Sequence, residues 1–303
     1  MPSSITSMTN HSKGVLITAL GVLLIIPDSL LIRLIDADLM TVVFWRALFT
    51  CLTMFAWVLV THRGATFSVL RTMGQAGIWY AVFLGFGTTL FGVSIQLTSV
   101  ANTVFILSTT PIFSAIISRA FLGEQISVRM VWTIALCIAG VAVIAFGSLV
   151  ENLEGTTSNS ALWGDLCAVG AAFGLASAFT VARSRPDVSM VPAVGIGYFI
   201  VVLVSFPFAE PASIGGADWI YAVLLGCVFL PLGMGLMSLG PRYISSAEVS
   251  LLLLLETILA PILVWAVLDE FPGFYALVGG AMVLGVLIVS NLLVLRKTTL
   301  SQI

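Results

Sequence analysis

Charge is what this chain has least of. Only 9% of its 303 residues are Asp, Glu, Lys or Arg, against about 25% in an ordinary soluble domain. Such a sequence cannot coat a water-facing surface, so a soluble enzyme and a disordered chain are both excluded. The 12 basic and 14 acidic residues leave a net charge of −2, and the basic face that a nucleic-acid partner needs is missing. No HExxH, GxSxG or helically spaced pair of aspartates occurs, and the two histidines, His11 and His62, fall outside the apolar runs. With no nucleophile and base to name, the chain is not read as an enzyme. A GxxxxGK[ST] loop is absent, which removes ATP as an energy source. Cys51, Cys137, Cys167 and Cys227 lie singly in apolar runs with no CxxC spacing, so neither a disulfide frame nor a zinc site nor any other cofactor is expected.

Apolar residues, in contrast, make up 59% of the sequence, and the mean hydropathy is +1.15. A bilayer core about 30 Å thick needs about 20 helical residues. Runs of that size recur near 14–34, 39–60, 77–97, 100–121, 128–147, 162–183, 191–208, 219–239, 246–267 and 274–295. They are continuously apolar rather than alternating, which favours helices over a β-barrel. The first run is too long for the core of a cleaved signal. The expected fold is an all-α membrane protein of ten transmembrane helices.

Ten crossings place Lys13, Arg63, Arg71, Arg119, Arg129, Arg183, Arg185, Arg242, Arg296 and Lys297 on one side. Only Arg33 falls on the other, and Arg46 lies within the second run. One missed helix would invert every later loop. By the positive-inside rule both termini are expected in the cytoplasm. Trp163, Trp219 and Trp265 then fall near outer helix ends, and Trp57, Trp79 and Trp132 near inner ones, as in an aromatic belt.

A weak internal repeat runs through the chain. Ser99–Glu124 (SVANTVFILSTTPIFSAIISRAFLGE) aligns without a gap on Ser245–Glu270 (SSAEVSLLLLLETILAPILVWAVLDE), and the same displacement sets Gly87 on Gly233. These are spans four and nine. Five crossings is an odd number, so the copies are expected to face opposite ways, as in inverted-repeat transporters. The organisation read here is a five-helix repeat over 1–150, an external linker over 151–160 (ENLEGTTSNS from Glu151) and an inverted five-helix repeat over 161–303.

Trp45-Arg46, Pro111 followed by Phe121-Leu122-Gly123-Glu124, and Leu268-Asp269-Glu270 stand in this order within the two halves. In these features the chain resembles the drug/metabolite transporter superfamily, in its ten-span EamA-type branch. One departure is Thr257 where the first half has Pro111, with the second half's proline at Pro261. The resemblance implies export or exchange of small metabolites, amino acids or related compounds, across a plasma membrane such as the bacterial inner membrane. It also implies that spans one, three, four, six, eight and nine surround a central cavity, which makes Trp163 a candidate substrate-facing aromatic as well as a belt residue.

Charge at the centre of a span costs about 2.5–3.5 kcal/mol, so each such residue needs a reason. Asp28 and Arg46 lie roughly 10 Å from the outer ends of adjacent helices, counted at about 1.5 Å per residue. They are placed to pair. The pair is read either as a structural bolt or as a clamp for a zwitterion, Arg46 on its carboxylate and Asp28 on its ammonium. Pro27 offers a helix break beside them. Glu256 falls about ten residues into span nine, with no basic residue of similar depth along the sequence. It is read as a binding or proton-coupling group, or as a neutral hydrogen-bonding acid. Its repeat mate is Thr110, beside Ser108, Thr109 and Pro111.

Glu248 and Asp165 lie near helix starts and are expected to stabilise those N-termini. Gly170 and Gly174 have the spacing of a close helix contact. Gly85, Gly87, Gly92, Thr88, Thr89, Ser94 and Gln96 put span three beside the pathway, and Gly226, Pro231, Gly233 and Gly235 do the same for span eight. The candidate binding or coupling residues are thus Asp28, Arg46, Gln96, Thr110, Trp163 and Glu256, with no catalytic or metal-binding residue. The expected partners are a small-molecule substrate, the lipid bilayer and, at Glu256, a proton. A channel or membrane scaffold without coupled transport is the competing reading. The substrate, the direction of net flux, the coupling ion and the oligomeric state are left open.

Overall fold

A computed structural model describes residues 10–62, 66–123, 128–153 and 160–300, and every regular element among them is helical. In chain order these are α1 (Asn10–Leu34), α2 (Leu39–His62), α3 (Thr66–Leu97), α4 (Val100–Leu107), α5 (Thr110–Leu122), α6 (Val128–Leu153) and α7 (Ser160–Ser184). They continue as α8 (Val191–Ser205), α9 (Asp218–Leu224), α10 (Leu230–Leu239), α11 (Ser246–Leu252), α12 (Leu254–Leu268) and α13 (Phe274–Leu300). Among the described residues, eight segments are long and apolar enough to cross a membrane. The helices α6 and α13, 26 and 27 residues long, stand beside them at the end of each half. Arg63, Glu124 and most of the expected linker, residues 154–159, lie outside the described residues.

Three of the expected continuous spans have internal structure, and a fourth is preceded by a turn. Helix α3 begins before its span and turns at Gly74, whose φ of 54° suits glycine. Span four is broken: α4 ends at Leu107 and α5 starts at Thr110, with Pro111 in its first turn. Span nine is broken at the matching place, between α11 and α12 at Leu253. Span eight passes through a π-helical turn at Leu225–Phe229, closed by Leu230 N–H donating to Leu225 O. Pro231 follows it directly. A proline supplies no N–H and its ring crowds the carbonyl four residues back, and the wider turn relieves both.

At Pro27 the expectation fails. Helix α1 runs unbroken from Asn10 to Leu34 with Pro27 inside it, since packed neighbours let a spanning helix tolerate proline.

The two halves pack so that exchanging them maps contact onto contact. Helix α3 lies against α7, and its counterpart α10 lies against α1; α4 and α5 meet α7, as α11 and α12 meet α1. The pairs α2–α8 and α6–α13 map onto themselves, and α4–α12 maps onto α5–α11. Glycines carry the closest of these approaches. A Cβ on Gly87 would sit 3.2 Å from Ala171 O and 3.1 Å from Leu175 N. One on Gly233 would sit 3.0 Å from Gly21 O and 3.4 Å from Ile25 N. Gly21 and Ile25 precede Ala171 and Leu175 by 150 residues, as Gly87 precedes Gly233 by 146. Gly174, of the expected close-contact pair, sits on the backbone of Gly87.

The seam between spans four and nine is polar at one end and apolar at the other. Between α5 and α11, Ser114 Oγ lies 2.8 Å from Ser250 Oγ and Ser118 Oγ lies 3.2 Å from Ser246 Oγ. Shifted by the 146-residue repeat, the same four positions are Ala260, Val104, Val264 and Val100, all buried in one core between α4 and α12.

Candidate functional site

Asp28, Arg46 and Glu256 converge. They line one small cavity of about 20 Å³ together with Ile25, Thr88, Phe91, Leu107, Leu175, Met234, Met237 and Leu253. A cavity needs roughly 10–15 Å³ to hold one water molecule, so this one has room for a water and no solute. All three ionisable side chains are buried, at 2%, 1% and 3% exposure.

The expected Asp28–Arg46 pair forms with bidentate geometry. Arg46 Nε donates to Asp28 Oδ1 at 2.9 Å and Nη2 donates to Oδ2 at 2.6 Å. The remaining nitrogen, Nη1, donates to Thr88 O at 3.3 Å, and the guanidinium stands 5.6 Å from the Phe91 ring centroid. Parallel donors on a planar fork match a carboxylate in shape as well as charge. The π turn of span eight adds to this enclosure. A Cβ on Gly226 would lie 3.1 Å from Arg46 O and 3.3 Å from Thr50 N, so only a residue without one lets the two backbones meet.

Glu256 differs from its expected setting in two respects. The break at Leu253 puts it in the first turn of α12 rather than mid-helix. There it faces the positive end of the helix dipole. Counting along the sequence left it without a basic neighbour, yet it shares the cavity with Arg46. Depth along a helix does not reveal which helices are adjacent, and this was the missing information. Its carboxylate makes no hydrogen bond with the described residues.

The other candidates are dispersed. Thr110 is fully buried, and its hydroxyl donates to Leu107 O at 2.5 Å across the break, away from the cavity. Gln96 Nε2 donates to Leu39 O at 3.3 Å and lines a second cavity nearer the helix ends. Trp163 is 64% exposed and lines neither cavity. The next two residues, Gly164 and Asp165, face Thr98, and a helix turns about 100° per residue, which carries Trp163 outward.

Asp165, expected at a helix start, lies beyond the first turn of α7. It accepts from Thr98 Oγ1 at 2.9 Å and from Asn102 Nδ2 at 3.3 Å, tying α7 to α4. Glu248 does cap its helix: its Oε2 accepts from Ser245 N at 2.8 Å while its own N–H donates to Ser245 Oγ at 3.2 Å. That is a reciprocal capping box. The cavity's spans are those the resemblance implied, with span two added through Arg46. Met234 and Met237 were not singled out. Their three-residue spacing on a glycine-rich span was the available signal.

No curated protein matches the chain. A solved crystal structure of a protein aligns over 93% of this chain and 98% of its own, with a TM-score of 0.65 and 18% identity. At that identity the likeness shows a shared fold. The model of the EamA-like transporter family matches twice, over residues 12–146 and 162–292, one copy to each half. The chain belongs to the EamA-like transporter family.

Proposed function

We propose that the protein is a secondary transporter of small polar metabolites, of the amino-acid type, working by alternating access. The observation that carries this is the convergence of Asp28, Arg46 and Glu256 on a closed cavity beside two broken helices. A buried pair that satisfies itself is a weak source of stability, and the adjacent carboxylate has no hydrogen-bond partner among the described residues. A zwitterionic solute offers a carboxylate to Arg46 and an ammonium to Asp28 or Glu256. In this reading α6 and α13 also span the bilayer, which makes ten crossings. The repeats are then inverted about an in-plane axis, and both termini face the cytoplasm. The contacts that survive exchange of the halves support that axis. The cavity is too small for a solute as it stands, so the described form is occluded, and opening to either side enlarges it.

Glu256 is the proton-coupling group. Glu256→Gln is expected to abolish proton-dependent counterflow of an amino-acid pool in proteoliposomes while the protein remains folded and monodisperse. An unchanged flux with an unchanged pH profile overturns the coupling role.

A further inference from the structure

A second and much larger cavity, about 380 Å³, opens where the C-terminal ends of α1, α3 and α12 meet the N-terminal ends of α4, α7 and α13. Binding pockets for small ligands typically occupy about 300–1,000 Å³. At that size it can hold an organic solute as the molecule stands, unlike the central cavity.

Its polar wall is built around an ion pair with unused capacity. Arg33 Nη2 donates to Thr98 O at 2.6 Å and to Glu270 Oε1 at 3.2 Å. Glu270 Oε1 also accepts from Val100 N at 3.4 Å. Arg33 Nη1 and Glu270 Oε2 make no hydrogen bond with the described residues. Both side chains remain partly open, at 26% and 29% exposure. The lining also holds apolar groups, Ile144, Ala276 and the Tyr275 ring among them.

We propose that this vestibule is a peripheral binding site for a small zwitterion of the α-amino-acid type. The ligand's carboxylate sits on Arg33 Nη1 and its ammonium on Glu270 Oε2. A simple anion would satisfy Arg33 and leave its charge beside Glu270, and a simple cation would meet Arg33 in the same way. Only a molecule with both charges on neighbouring atoms complements the pair without a like-charge contact. The apolar groups then receive its side chain. Arg33 closes α1 and Glu270 follows α12, so the same charges that hold those two ends together also hold the ligand. The site stands apart from the central cavity and does not depend on transport through it.

The probe is L-alanine, with propionate and ethylamine as its single-charge halves. The purified full-length protein, with its native cysteines replaced, carries Ser160→Cys in the vestibule wall, and labelling of that thiol by a hydrophilic maleimide is followed. L-Alanine is expected to slow labelling saturably, with each half at least tenfold weaker. Arg33→Gln and Glu270→Gln should each abolish protection, whereas Glu256→Gln should leave it intact. Should either vestibule variant fail to fold, the other carries the test, with Arg33→Lys retaining the charge. Absence of protection by L-alanine overturns the proposal, as does protection that survives both vestibule variants. Protection lost with Glu256→Gln alone places the ligand in the central cavity and also overturns it. None of these results bears on whether Glu256 couples flux to protons.

Discussion

The two broken helices share a backbone plan and differ in how the break is filled. In the first repeat, the hydroxyls of Ser108, Thr109 and Thr110 donate to the carbonyls of Phe105, Ile106 and Leu107. Each of these carbonyls thus finds a hydroxyl partner three residues on. In the second repeat the break falls in a run of leucines, and a single hydroxyl, that of Thr257, reaches back to it, donating to Leu253 O at 3.4 Å. Thr257 Oγ1 lies 3.3 Å from Val104 O of the other half, and Glu256 turns into the central cavity. One copy is closed on itself, and the other keeps an ionisable group facing its partner. A duplicated element can hold its geometry in one copy while the other takes on the chemistry.

The severest way to break this comparison is to remove the charges that Glu256 faces. Asp28→Asn strands Arg46 in a buried site, and the expected loss is about 3–5 kcal/mol, read from thermal unfolding in detergent. The double replacement Asp28→Leu with Arg46→Met should cost less than either single change. A melting temperature unmoved by Asp28→Asn would show that the pair carries no structural weight. Next in size are the self-bonded hydroxyls. Ser108→Ala, Thr109→Val and Thr110→Val should each destabilise by about 1 kcal/mol and speed amide exchange over residues 100–115, without altering the pH dependence of flux. If Thr110→Val changes that dependence as much as Glu256→Gln does, the division of labour between the copies is wrong. The smallest effect is at the serine seam. A double-mutant cycle of Ser114→Ala and Ser250→Ala should return a coupling of about 0.6 kcal/mol, the average for such contacts in membranes.

Much of this was legible along the chain. Scarce charge and recurrent apolar runs marked the helices, and the 146-residue displacement marked the halves. Asp28 and Arg46 were paired from their depth on adjacent helices. The break at Ser108–Thr109 had a sign in Pro111. The one at Leu253 had none, because leucine is a good helix former and tertiary context alone interrupts the run. Glu256 therefore read as a mid-helix residue. The Arg33–Glu270 tie joins residues 237 positions apart, and nothing local announces it. Asp165 looked like a helix-end residue because its partners Thr98 and Asn102 belong to the other half.

The serine pairs between α5 and α11 and the valines between α4 and α12 hold equivalent places in the two halves, so they are two doors cut to one template. When the first parts, each hydroxyl exchanges its neighbour for a water molecule and loses little. When the second parts, bare methyl groups line the gap and water is reluctant to wet it. In the proposed cycle one door is a sluice that floods as soon as it moves, and the other stays dry until a solute fills it. A leak of small ions through a momentarily ajar protein is thereby checked from the valine side.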